Sequence, residues 1–195
     1  MITIEEIQLA LEYMNDNWPF QNNDLDAQTK FIYTADTVDE IRKHSANDHV
    51  VFNYAIHRWY NLNCAKMHEN FFIENGAVKE DDLYHKTIDF YLFEIPFDLK
   101  TTVFPKKNKD KPNYDLNTRI GKNNLIEWMY ENQSKEGRFH LENRLFIVCS
   151  DMKKKSDFTQ IRRKIKSFIE FSKQHGFNTV KINGKDLCSD IIWIQ

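Results

Sequence analysis

Apolar residues recur every three or four positions over some stretches of the chain and alternate with polar ones over others, and the two periods predict different elements. Ile4, Ile7, Leu11 and Met14 fall at helical spacing and predict a short amphipathic helix over about 3–14. A polar loop rich in Asn and Asp follows, then a second short helix for which Asp36 or Thr37 supplies the N-cap. Residues 48–74 predict a longer helix, with Asp48 in front of it and Asn75-Gly76 as its stop. The run YHKTIDFYLFEIPFDLKTTVF is dense in β-branched and aromatic residues and reads as two strands joined by a tight turn at Glu94-Ile95. After it come an exposed basic loop (PKKNKDKPNYD), a helix near 116–132 and an apolar strand, RLFIVCS. Residues 155–174 predict a basic helix with Phe158, Ile161, Ile165, Phe168 and Ile169 as its apolar stripe and Gly176 as its end. NTVKI and IIWI read as two closing strands. Strands interleaved with helices predict an α/β fold, a mixed central sheet flanked by helices. Without an internal repeat or a break in composition, 1–195 reads as a single domain in which 1–45 is an N-terminal helical extension.

Composition narrows the class. With 41% hydrophobic and 29% charged residues and only 5 Gly and 4 Pro, the chain is neither disordered nor collagen-like. No run approaches the roughly 18 apolar residues of a membrane span, and no membrane partner is expected. The first residues carry acids where a secretory leader needs a basic start. Three cysteines, Cys64, Cys149 and Cys188, are odd in number and far apart, which argues against a disulfide framework and for a reduced, cytoplasmic compartment. The formal net charge of −2 hides a strong asymmetry. Residues 1–100 hold 8 Lys/Arg against 18 Asp/Glu, and residues 101–195 hold 19 against 11. Either the two halves intermingle as ordinary solvated surface, or a basic surface for a polyanion adjoins an acidic pocket for cations.

The predicted hairpin carries the candidate chemistry. A two-residue turn at 94–95 sets Phe93 opposite Pro96, Tyr91 opposite Asp98 and Asp89 opposite Lys100, and directly opposed residues point to the same side. One face is then Ile88, Phe90, Leu92, Phe97 and Leu99, and the other gathers Asp89, Asp98 and Lys100. Charges within apolar strands call for a reason, because isolated buried charges are costly. One reason is a solvent-facing Asp89–Lys100 ion pair. The other is a pair of carboxylates for a hard divalent cation with an ammonium beside them. On the long helix, Val51, Ala55, Trp59, Leu62, Ala65, Glu69 and Phe72 share one stripe, so Glu69 either interrupts the core-facing side to reach the same pocket or twists out to solvent.

A helix bearing Glu69, then Asp89, then Asp98-Leu99-Lys100, followed by a helix and a buried strand, resembles the PD-(D/E)xK nuclease superfamily, the restriction-endonuclease-like fold. The resemblance covers roughly 48–182 and implies a nuclease-like core there. By this resemblance Asp89 and Asp98 are metal ligands, Glu69 is an auxiliary metal- or water-binding acid, and Lys100 positions the attacking water. The cofactor implied is Mg²⁺ or Mn²⁺, the substrate nucleic acid, with DNA as the first expectation. Many members cut two strands as dimers, so a homodimer is also to be tested. Ile88 stands where the family name expects Pro, and the Gln-x-x-x-Tyr motif of RecB-like members is missing. Three basic tracts supply candidate phosphate contacts: Lys106, Lys107 and Lys109 with Lys111, then Lys153–Lys155, then Arg162 and Arg163 with Lys164 and Lys166. The rival from another class is a non-catalytic nucleic-acid-binding or assembly protein that keeps the same fold. Other chemistries lack their motifs. There is no Gly-rich phosphate loop or nucleophile elbow, and His57, Cys64 and His68 share a helix face but span roughly 16 Å, too far for one metal.

Overall fold

The computed structural model describes residues 2–14, 21–82, 87–105, 112–132 and 141–195. Two compact units make up the chain, Met1–Met67 and His68–Gln195, with their boundary inside a long helix. No helix among the described residues is long and apolar enough to cross a membrane.

The first unit is helical. Helix α1 (Ile4–Leu9) is capped by Thr3 and continues as a 3-10 turn to Glu12, so the predicted helix is present with a tightened end. Within the expected polar loop lies α2 (Asn23–Gln28), started by Asn22, whose side-chain oxygen accepts the N–H groups of Asp24 and Leu25. Helix α3 (Val38–His44) is capped by Thr37. The long helix α4 (His49–Glu74) begins where Asp48 Oδ1 accepts the N–H of Val50 (2.8 Å) and Val51 (3.1 Å), and Gly76, at φ 100°, follows its end. In this unit Trp59 donates its indole N–H to the Ala35 carbonyl (2.8 Å), and Arg58 pairs with Asp26 (3.2 Å).

The second unit is built on a six-stranded mixed sheet in the order β1-β2-β3-β4-β6-β5. Its strands are β1 (Val78–Lys79), β2 (Phe90–Leu92), β3 (Ile95–Val103), β4 (Arg144–Cys149), β5 (Thr179–Ile182) and β6 (Lys185–Ile194). The chain passes from β3 through α5 (Arg119–Asn132) to β4, and from β4 through α6 (Phe158–His175) to the β5–β6 hairpin. The β3–β4 and β4–β6 pairs are parallel and the outer pairs antiparallel. Central β4 is buried from Leu145 to Cys149, which explains why it reads as a continuous apolar run. On one face, Leu125, Ile126, Met129 and Tyr130 of α5 pack with Phe146, Val148 and Ile191. The last turns of α4 pack elsewhere in this unit: Phe72 stacks on Phe90 at 4.7 Å, and Phe71 meets Phe158 of α6 edge-on at 6.1 Å. The fold class is thus the expected α/β sheet flanked by helices.

Candidate active site

The β2–β3 turn falls at Phe93-Glu94, one position earlier than the sequence predicts. Both residues take left-handed backbone (φ 51° and 66°), the turn geometry that matches hairpin twist. Tyr91 therefore faces Pro96 and Phe90 faces Phe97, and the expected partnerships of Phe93 with Pro96, Tyr91 with Asp98 and Asp89 with Lys100 are corrected. The displacement is two residues in register, so the parity of the faces survives. Phe90, Leu92 and Phe97 are buried, as the alternation requires, but Ile88 and Leu99 of the same predicted face are only half-buried and Asp98 of the opposite face is buried.

The ladder breaks at Asp89, and the break makes the site. The Asp89 N–H donates to the Phe97 carbonyl (2.9 Å), while the Leu99 N–H donates to Asp89 Oδ2 (2.6 Å). A side-chain carboxylate thus takes the place of a backbone carbonyl as the acceptor for β3. Its other oxygen, Oδ1, accepts no hydrogen bond from any described residue. Burial pushes the Asp89 carboxyl above its ordinary range and the Leu99 N–H draws it back. The charges of Asp98 and Glu69 raise it further, and that of Lys100 lowers it. Asp98 and Lys100 follow on the adjoining strand, and the charge of Glu69 from α4 is also felt at Asp89.

Asp98 is the most enclosed of the four, its side chain only 6% exposed. The parallel β3–β4 register sets it beside Arg144, whose Nε donates to Oδ2 at 2.9 Å. Lys100, two residues along the same strand face, donates its ammonium to Oδ1. The alternative Asp89–Lys100 ion pair does not form; Lys100 pairs with Asp98, and its own side chain is 43% exposed. Arg144 is further fixed by the Tyr130 ring, 5.0 Å from its guanidinium carbon. The Tyr130 hydroxyl, pushed up to about 12 chiefly by burial, donates to the Glu142 carbonyl at 2.7 Å. Arg144 escapes sequence analysis because nothing local fixes a parallel register. Its only signal is a cation at the head of an otherwise apolar strand.

Glu69 is half-buried at the end of α4 and pairs with Lys79 of β1 at 3.0 Å. Of the stripe assigned to it Ala55, Trp59 and Phe72 are buried, but Ala65 is exposed, and His68 and Phe71, outside that stripe, are buried instead. Among the described residues no group of three or more His, Cys, Asp and Glu side chains is disposed to share one metal ion. The donor chemistry still suits Mg²⁺, which keeps several waters and is commonly held by one or two carboxylates. Asp89 has an oxygen that no described residue engages, whereas Asp98 could join it only where Lys100 gives up Oδ1.

The basic tracts are distributed differently from the expectation. Lys106, Lys107, Lys109 and Lys111 lie outside the described residues. Lys155 is buried and Lys154 pairs with Asp157 at 3.1 Å, so the second tract is not an open patch. Arg162 pairs with Glu74 (2.9 Å) and lies 4.8 Å over the Phe71 ring, while Arg163 is exposed on α6. No hydrogen bond or ion pair ties Arg162 or Arg163 to the acids of the site. No protein-family model, curated protein or solved structure matches the chain.

Proposed function

We propose that the second unit is a divalent-metal-dependent nuclease of the restriction-endonuclease-like fold, hydrolysing phosphodiester bonds in DNA. The observation that carries this reading is the gathering of Asp98, Lys100 and Glu69 around Asp89 at the broken end of the β2–β3 ladder. The order α4-β1-β2-β3-α5-β4, with an antiparallel hairpin leading into a parallel pair, agrees with the core that the PD-(D/E)xK resemblance implies.

Asp89 and Asp98 would hold the Mg²⁺, with water completing its shell, and Glu69 would accept a hydrogen bond from one of those waters. When bound, the ion supplies Lewis-acid polarisation of the phosphate and lowers the pKa of a water. The chain's own contributions follow from its geometry. The Leu99 N–H pins Oδ2 of Asp89 and keeps Oδ1 for a ligand. Lys100 is exposed enough to leave Asp98, orient the attacking water and place its ammonium against the charge that develops on the phosphate. Burial of Asp98 strengthens each of these interactions relative to water.

A second reading rests on a specific observation, that both oxygens of Asp98 are engaged by the chain's own cations. A self-neutralised site of this kind suits a non-catalytic nucleic-acid-binding or assembly protein. Supercoiled plasmid and single-stranded DNA incubated with Mg²⁺, Mn²⁺ or chelator separate the two. The nuclease reading expects metal-dependent cleavage lost in both Asp98→Ala and Lys100→Ala. Salt-sensitive DNA binding without cleavage in any metal favours the rival, and cleavage that survives both substitutions removes the site assignment.

A further inference from the structure

Asp98 is held by two cations of opposite character, and the contrast assigns them different tasks. Lys100 is 43% exposed and sits on a flexible stem, whereas Arg144 is 11% exposed and is fixed from several directions. The Tyr130 ring lies against its guanidinium, Ser189 Oγ donates to its carbonyl at 2.8 Å, and the parallel register places its strand position beside Asp98. The contact to Oδ2 comes from Nε, within the side chain, so the guanidinium approaches the carboxylate edge-on.

We infer that Arg144 is a positioning residue that clamps Oδ2 of Asp98 and thereby presents Oδ1 to the divalent cation, while Lys100 is the partner that yields. The inference rests on the nuclease reading of the site. A guanidinium enclosed beside an enclosed carboxylate is a lasting partner for it, whereas an ammonium on an exposed, flexible stem is not. Two fixed cations would crowd both oxygens against a metal; one fixed and one movable cation open Oδ1 to it. Groups that orient a metal ligand without touching the metal typically change metal affinity by about 10–100-fold when altered.

The test is Mn²⁺ binding to the full chain without DNA, followed by titration calorimetry, for the wild type, Arg144→Lys, Arg144→Met and Asp98→Ala. Arg144→Lys keeps the charge but puts a methylene where Nε stands, so the donor to Oδ2 is lost at that position. Its Mn²⁺ affinity should fall by about tenfold or more. In plasmid cleavage its kcat should fall while KM for DNA stays near the wild-type value, because Arg144 is enclosed behind Asp98. Arg144→Met leaves Asp98 with Lys100 alone and is expected to weaken Mn²⁺ binding as well. If Arg144→Met does not fold, the charge-conserving variant decides. Wild-type Mn²⁺ affinity in folded Arg144→Lys overturns the inference and leaves the nuclease reading standing. Tighter binding in Arg144→Met also overturns it, by showing Arg144 to be a mere competitor for Asp98. A wild type that binds no Mn²⁺, or an Asp98→Ala that binds it equally well, overturns the inference together with the nuclease reading.

Discussion

His68 offers the most quantitative check on the packing behind the site. Its ring is fully buried, with Nε2 2.9 Å from the Lys155 carbonyl and Nδ1 2.9 Å from Thr101 Oγ1. A carbonyl only accepts, so Nε2 carries the hydrogen and Nδ1 accepts from the Thr101 hydroxyl. Burial pushes the imidazole down to about 3 from its ordinary 6.5. A depressed folded pKa means that the unfolded chain takes up the proton first. The stability tied to neutral His68 is therefore complete above pH 6.5 and is lost as pH falls toward 3. At ~1.4 kcal/mol per pH unit, the whole window is worth about 5 kcal/mol, of which roughly 3 is lost between pH 6.5 and 4. His68→Gln retains an amide N–H for the Lys155 carbonyl but does not titrate, and costs about 1–2 kcal/mol at neutral pH through imperfect replacement of the two hydrogen bonds. Urea unfolding followed by circular dichroism, in chelator and from pH 7.5 to 4, compares the two proteins. The wild type should start as the more stable and finish as the less stable. Parallel stability–pH curves would refute the neutral, buried assignment of His68 and the packing of α4 against β3 on which it rests.

Three further perturbations test neighbouring claims. Asp89 has a raised folded pKa, so the stability contributed by its protonated form is present at low pH and lost as pH rises through that value. Asp89→Asn, which keeps an oxygen for the Leu99 N–H, should stabilise the metal-free protein at pH 8 by about 0.5–2 kcal/mol and make no difference near pH 3, read from urea midpoints. Gly121→Ala would set a Cβ 2.0 Å from the backbone oxygen of Asp115, so α5 must shift; a loss of at least about 2 kcal/mol is expected in thermal unfolding, and an unchanged Tm contradicts that approach. Asp48→Ala removes the acceptor for two N–H groups at the start of α4 and should cost about 1 kcal/mol, with a matching loss of helical circular dichroism on heating.

Where a single element carries its own signal, it was legible. The Asp48 cap, the Gly76 and Gly176 stops, the apolar strand at 144–149 and the stripe of α6 all follow from local rules. Features that depend on partners were not. The Phe93-Glu94 turn uses left-handed backbone without the Gly or Asn that usually marks it, so the strong β-formers around it pointed one position later. Strand β1 is two residues long and exists only because β2 pairs with it. Helix α2 has no buried residue of its own and depends on its Asn22 cap. The Asp-x-Lys pair and the parity that puts Asp89 on its side were legible because alternation survives a two-residue slip. Arg144 was not, because its place beside Asp98 is fixed only by a parallel register across 46 residues of chain.

The charge asymmetry between the halves of the sequence acquires a different meaning in three dimensions. Were it a spatial division, the acids of the first half would stand apart from the bases of the second. Instead Asp98 is clamped by Arg144, and Glu74 is paired with Arg162, each bond joining an acid from before residue 100 to a base from after it. Part of the basic excess is thus neutralised by acids of the first half, with Arg144 enclosed and Arg162 at the surface, and Lys155 is buried outright. What remains for a polyanion is smaller than the count suggests, and exposed Lys100 and Arg163 are among it. Asp89 is the counter-example that gives the site its direction. It is partly enclosed, it feels two other carboxylates, and no described cation pairs with it. Among the described residues Asp98, Glu69 and Glu74 each have a cationic partner and Asp89 has none, so under the proposed function a hard cation would be its complement.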